Sequence, residues 1–148
     1  MKVLLINGPN LKYLGKREPE IYGDSTFKEI EADLKDYTKS LGHQIESIVS
    51  NSEGEIVTAI CEKEYDALVI NPGAYTHYSI AIMDAMKYAR GLGKFIAEVH
   101  LTNVFEREDF RHEMLTTKEA DIVLMGGGVF SYFNAISTAA AFLDENLF

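Results

Sequence analysis

Short apolar runs alternate with amphipathic stretches along the whole chain. Val3 to Ile6 is an aliphatic run closed by Asn7-Gly8-Pro9, which predicts a buried strand. Phe27, Ile30, Leu34, Tyr37 and Leu41 then recur at helical spacing, with Ser25 or Thr26 able to cap the start and Gly42 placed to stop it. Ile45 to Val49 reads as a second strand, with Ile45, Ser47 and Val49 on one face, and Glu53 to Lys63 as a second helix. Ala67 to Asn71, Phe95 to His100 and Asp121 to Met125 are three further strands, and helices fit over Ser79 to Arg90 and Phe130 to Asn146.

Strands that are apolar on both faces and separated by helices predict a parallel sheet covered on both sides. Five such units over residues 1–148 make a flavodoxin-like α/β domain, a doubly wound five-stranded parallel sheet with helices on both faces. Ligands in such sheets sit beyond the carboxyl ends of the strands. One connection, about residues 8–24, is too long for an ordinary turn and reads as a functional lid.

Composition narrows the classes. A hydrophobic fraction of 47% over 148 residues is globular rather than disordered. A formal charge of −9 argues against sequence-independent nucleic-acid binding, which needs a basic surface. It leaves room for an anionic small ligand held by local arginines. Cys61 is the single cysteine, so no disulfide framework is expected, and it reads as a small buried hydrophobe. The apolar segment from Met1 to Asn7 is too short for a signal peptide or a membrane span, so a soluble cytoplasmic protein is expected.

The strand ends carry the candidate chemistry. Glu98 and His100 are two apart on a strand and therefore project to one side. A carboxylate there fixes the tautomer and orientation of the ring. The pair reads evenly as an acid–base unit or as a structural hydrogen bond. Asn7, Asn10, Ser50, Asn51 and Asn71 also lie at strand ends. His77 leads into a helix, and Arg107 and Arg111 would share a face if their stretch is helical, although Glu106, Glu108 and Asp109 offer them surface partners. No metal-ligand spacing links His77, His100 and His112. Gly126-Gly127-Gly128 resembles a phosphate cradle but matches no established phosphate motif, which favours a tight turn. Asn7-Gly8-Pro9-Asn10 lacks the acidic residues of a signalling receiver. Tyr22 is a poor base at its ordinary pKa of about 10. A guanidinium such as that of Arg17, in the same loop, would stabilise its phenolate.

Four ordered blocks, NGPNLKYLGKREPEIYG, SNSEGE, INPGAYTH with SIAIMDA, and AEVHLTNVFEREDFR, span Val3 to Arg111. Together they resemble the type II 3-dehydroquinate dehydratases. The resemblance implies cofactor-independent anti elimination of water from 3-dehydroquinate to 3-dehydroshikimate through an enolate, in the shikimate pathway of aromatic amino acid biosynthesis, without metal or Schiff base. By position, Tyr22 would be the base, Arg17 its activator, Asn10 the holder of an enolate-stabilising water, His100 the acid and Glu98 its orienter. Asn71, His77, Arg111 and the backbone around Leu101 and Thr102 would bind substrate, and Arg107 would sit near the lid. Asp84 would reach a neighbouring subunit's site, implying a homo-oligomer of trimers assembled into a dodecamer. The chain departs from the family pattern at Val49, Tyr78, Met83, Glu113, Met114, Ile122 and Ser131.

Overall fold

The structure, a computed structural model, describes residues 1–16, 20 and 25–145. It contains strands β1 (Lys2–Asn7), β2 (Gln44–Val49), β3 (Ala67–Asn71), β4 (Phe95–His100) and β5 (Ile122–Met125). The four α-helices among the described residues are α1 (Phe27–Ser40), α2 (Glu53–Glu62), α3 (Ile80–Gly91) and α4 (Phe130–Glu145). All strand pairs are parallel, in the order β2-β1-β3-β4-β5. This is the doubly wound, flavodoxin-like arrangement.

Side-chain alternation explains why one sheet needs two helical layers. Val3, Leu5, Val69, Ala97 and Val99 pack with Ile30 and Leu34 of α1 and Ala135, Ile136 and Ala139 of α4. Their neighbours Leu4, Ile6, Leu68, Ile70 and Ile96 pack with Ile56 and Ile60 of α2 and Ile82, Met86 and Ala89 of α3. Each fully buried aliphatic side chain contributes about 1.5–3 kcal/mol over leaving it exposed. Both faces of the central strands are therefore committed to burial.

Three helices start on side-chain caps. Thr26 and Glu29 form a reciprocal capping box at α1, with bonds of 3.2 Å and 2.8 Å. Ser52 caps α2 through Glu55 N–H, and Ser79 caps α3 through Ile82 N–H. Two expectations shift at the margins. Leu41 falls just past α1 as its cap and is exposed, because Gly42 turns the chain into a left-handed conformation at φ 81°. Cys61 is only partly buried, at the edge of the α2–α3 core. Asn146, expected to end the last helix, lies outside the described residues.

Candidate active site

The strand order reverses between β1 and β3, and their final residues pair in register, Asn7 beside Asn71. The loops that follow are pressed together. Gly8 N–H donates to the Asn71 carbonyl at 2.8 Å, and a Cβ on Gly8 would lie 2.5 Å from the Pro72 carbonyl oxygen. Only glycine fits that approach. Asn10 follows with φ 69°, a left-handed conformation that asparagine tolerates. Its N–H donates to Asn51 Oδ1 at 3.0 Å, while the Tyr75 hydroxyl donates to the Asn51 carbonyl at 2.6 Å.

A cavity of about 140 Å³ opens above these loops, at the carboxyl ends of the strands. Asn10, Asn71, His77, His100, Leu101, Thr102, Arg107 and Arg111 all line it. Asn71 is almost wholly buried and its amide is fixed from both ends. Its Oδ1 accepts from Gly73 N–H at 3.1 Å, and its Nδ2 donates to the Tyr132 hydroxyl at 2.9 Å. The Tyr132 hydroxyl, from α4, in turn donates a hydrogen bond to Asn7 Oδ1, and burial holds its phenol above its ordinary pKa.

His100 and Glu98 point away from α4, toward α3, as the alternation along β4 requires. They meet at 2.7 Å, His100 Nε2 to Glu98 Oε1, with 6% and 0% of their surfaces exposed. An ionised carboxylate only accepts, so Nε2 carries a proton and Nδ1 is the nitrogen left for a ligand. The Thr76 hydroxyl donates to the same Oε1 at 2.8 Å. His77 Nδ1 bonds the Glu113 carbonyl at 2.8 Å, which leaves its Nε2 as an acceptor. Burial, reinforced by Arg111, His100 and Arg107, holds the His77 imidazole below its ordinary pKa.

Arg107 and Arg111 both line the cavity, but not from one helix. Short 3-10 turns at Val104–Glu106 and Asp109–Arg111 carry that stretch instead. Arg111 Nε donates to Glu108 at 2.6 Å, so the surface pairing anticipated from the sequence coexists with a place at the pocket. The glycine run is a turn. Gly126 and Gly128 N–H groups donate to the His100 and Leu101 carbonyls, so these two donors are not free for an anion. Among the described residues no group of three His, Cys, Asp or Glu could hold a metal ion, and no helix is long and apolar enough to cross a membrane.

The family model of class II dehydroquinases matches residues 1–140. The chain belongs to that family. It is 46% identical over 136 residues to a Clostridium botulinum 3-dehydroquinate dehydratase, covering 90% of each chain. It is 44% identical to a catabolic 3-dehydroquinase of Sclerotinia sclerotiorum, covering 97% of this chain and 95% of that one. The crystal structure of a Butyrivibrio crossotus type II dehydroquinase superposes with a TM-score of 0.91 at 42% identity, covering 94% of this chain and 97% of the other.

Of the residues named from this family's sequence pattern, the structure gathers Asn10, Asn71, His77, His100, Leu101, Thr102 and Arg111 at one cavity, with Glu98 directly behind His100. Arg17 and Tyr22 lie outside the described residues. Asp84 is exposed on α3 and does not line the cavity. Thr76, Thr116 and Tyr132 support the site without any mark in the sequence pattern. Their contacts with the site cross long stretches of chain and leave no local periodicity to read.

Proposed function

We propose that this dehydroquinase converts 3-dehydroquinate to 3-dehydroshikimate by anti elimination of water, as its relatives' names and the pocket chemistry support. The observation that carries the reading is the buried Glu98–His100 pair, with one ring nitrogen free at a cavity that also holds Asn10, Asn71, His77 and Arg111. Tyr22, as phenolate stabilised by Arg17, takes the proton from C2 and leaves an enolate, whose oxygen a water held by Asn10 stabilises. The enolate collapses to the ketone, the C1–C2 double bond forms and the C1–O bond breaks. The departing hydroxyl takes the Nδ1 proton of His100 and leaves as water. Glu98 holds the other ring proton and keeps the ring oriented for the transfer. Asn71, His77, Arg111 and the backbone at Leu101 and Thr102 orient hydroxyls and carboxylate.

The same reading takes residues 1–148 as one catalytic domain whose lid, about residues 8–24, brings the base and excludes water on closing. It places the enzyme in the cytoplasm, in aromatic amino acid biosynthesis, as trimers built into a dodecamer with Asp84 reaching the neighbouring site. No metal, nucleotide or Schiff base takes part. The test is the ultraviolet absorbance of the conjugated enone when purified protein meets 3-dehydroquinate. A catalytic rise that Tyr22→Phe abolishes is expected, and no rise from folded, assembled protein would overturn the reading. Borohydride added with substrate should trap no adduct by mass spectrometry.

A further inference from the structure

Two threonines behind the pocket have no part in the elimination as written. Thr76 lies in the 3-10 turn Gly73–His77, and Thr116 opens the turn Thr116–Glu119. Both are fully buried. Thr116 Oγ1 donates to Thr76 Oγ1 at 2.8 Å, and Thr76 Oγ1 donates to Glu98 Oε1 at 2.8 Å. A threonine hydroxyl has one proton, and an ionised carboxylate only accepts. The carboxylate therefore sets the direction of the whole chain: Thr76 must face Glu98 as donor, and it meets Thr116 only as acceptor.

The loading of the carboxylate is one-sided. Oε1 takes both the Thr76 bond and the 2.7 Å bond from His100, while Oε2 is buried with no hydrogen-bond partner among the described residues. Rotation about the last torsion of a glutamate is broad unless something holds it. Apart from the ring that Glu98 is meant to orient, Thr76 is what holds it among those residues. Thr76's own rotor is in turn held by Thr116.

We infer that Thr116 is a positioning residue: acting through Thr76, it fixes the rotation of the Glu98 carboxylate and so the ring of His100. The inference rests on the proposed role of His100 as the acid. The backbone joins the two segments independently of the hydroxyl, since Leu115 N–H donates to the Thr76 carbonyl at 2.7 Å. A valine at 116 keeps the volume, removes one donor and leaves no donor stranded, so the fold should persist.

The test compares the full chain with Thr116→Val and Thr116→Ser by two readouts. One is the ¹⁵N signal of the His100 imidazole in the free protein, and the other is kcat and KM with 3-dehydroquinate. We expect Thr116→Val to move the His100 signals and to lower kcat about fivefold with KM changed by less than about twofold, the size of one net hydrogen bond acting on turnover. Thr116→Ser, which restores the hydroxyl, should return both. Unmoved signals in Thr116→Val overturn the inference, and so does a serine variant that remains as impaired as the valine one. Signals that move and are restored while kcat stays constant support the positioning and overturn the acid role of His100. Should Thr116→Val not fold, Thr116→Ala removes the same hydroxyl and is read in the same way.

Discussion

Behind His100 the pocket is closed by side chains that are almost wholly buried and bonded to one another. Its mouth is carried by two arginines at the ends of short 3-10 turns, Arg111 bonded to Glu108 at 2.6 Å and Arg107 4.0 Å from the same carboxylate. In the floor, the bonds from Tyr132 to Asn7 and Asn71 and from Thr76 and His100 to Glu98 Oε1 are made between groups withdrawn from water, so they are fixed before any ligand arrives. At the rim, Glu108 is half exposed and water screens its bond to Arg111, so an incoming carboxylate or hydroxyl can displace it. The contrast separates two tasks. Orientation of the reacting group is settled in the floor, and capture of the ligand is left to groups that can change partners.

The floor is tested most directly at His100. His100→Ala should lower kcat by about 10²–10⁴-fold, the usual worth of a positioned acid or base, with the fold retained. Turnover within a few-fold of the parent would mean that the floor is structural only. Tyr132→Phe should strand Asn7 Oδ1 and Asn71 Nδ2 together, costing about 1–3 kcal/mol of stability. The denaturant midpoint reads that loss, and an unchanged midpoint would show that the asparagines find other partners. At the rim, Arg111→Ala should raise KM about tenfold and affect kcat less, as loss of a ground-state contact does. A fall in kcat of the same size at constant KM would move Arg111 from capture to chemistry.

The smallest expected effect is on pH dependence. The His77 imidazole is held below its ordinary value by burial first, so the unfolded chain binds its proton more readily than the folded one. Its contribution to stability is intact above the ordinary value of about 6.5, and declines as pH falls from there to the lower folded value. His77→Gln should flatten the denaturant midpoint over that window. An unchanged slope would assign the dependence to other groups.

The fold was legible because its elements announce themselves locally. Val3–Ile6 and Ala67–Ile70 have no polar residue to place, and Thr26, Ser52 and Ser79 mark three helix starts at the residue where they occur. The Glu98–His100 pairing was legible for a similar reason, since a strand's period of two decides which side chains meet. A spacing of four puts Arg107 and Arg111 on one face only if the stretch is helical, whereas two successive 3-10 turns bring both to the cavity. What could not be read locally was the support behind these residues. Tyr132 reaches Asn71 from 61 positions away and Thr116 reaches Thr76 from 40, contacts that exist only once the layers have packed.

That packing also divides the pocket between the two sides of the sheet. Asn7 and Asn71 answer to α4 through Tyr132, whereas Glu98 and His100 answer to the α3 side through Thr76. Small repacking changes in one helical layer would thus reach ligand affinity, and changes in the other would reach turnover. Selection, or a designer, can adjust each by its own set of core residues without touching a side chain that meets the ligand.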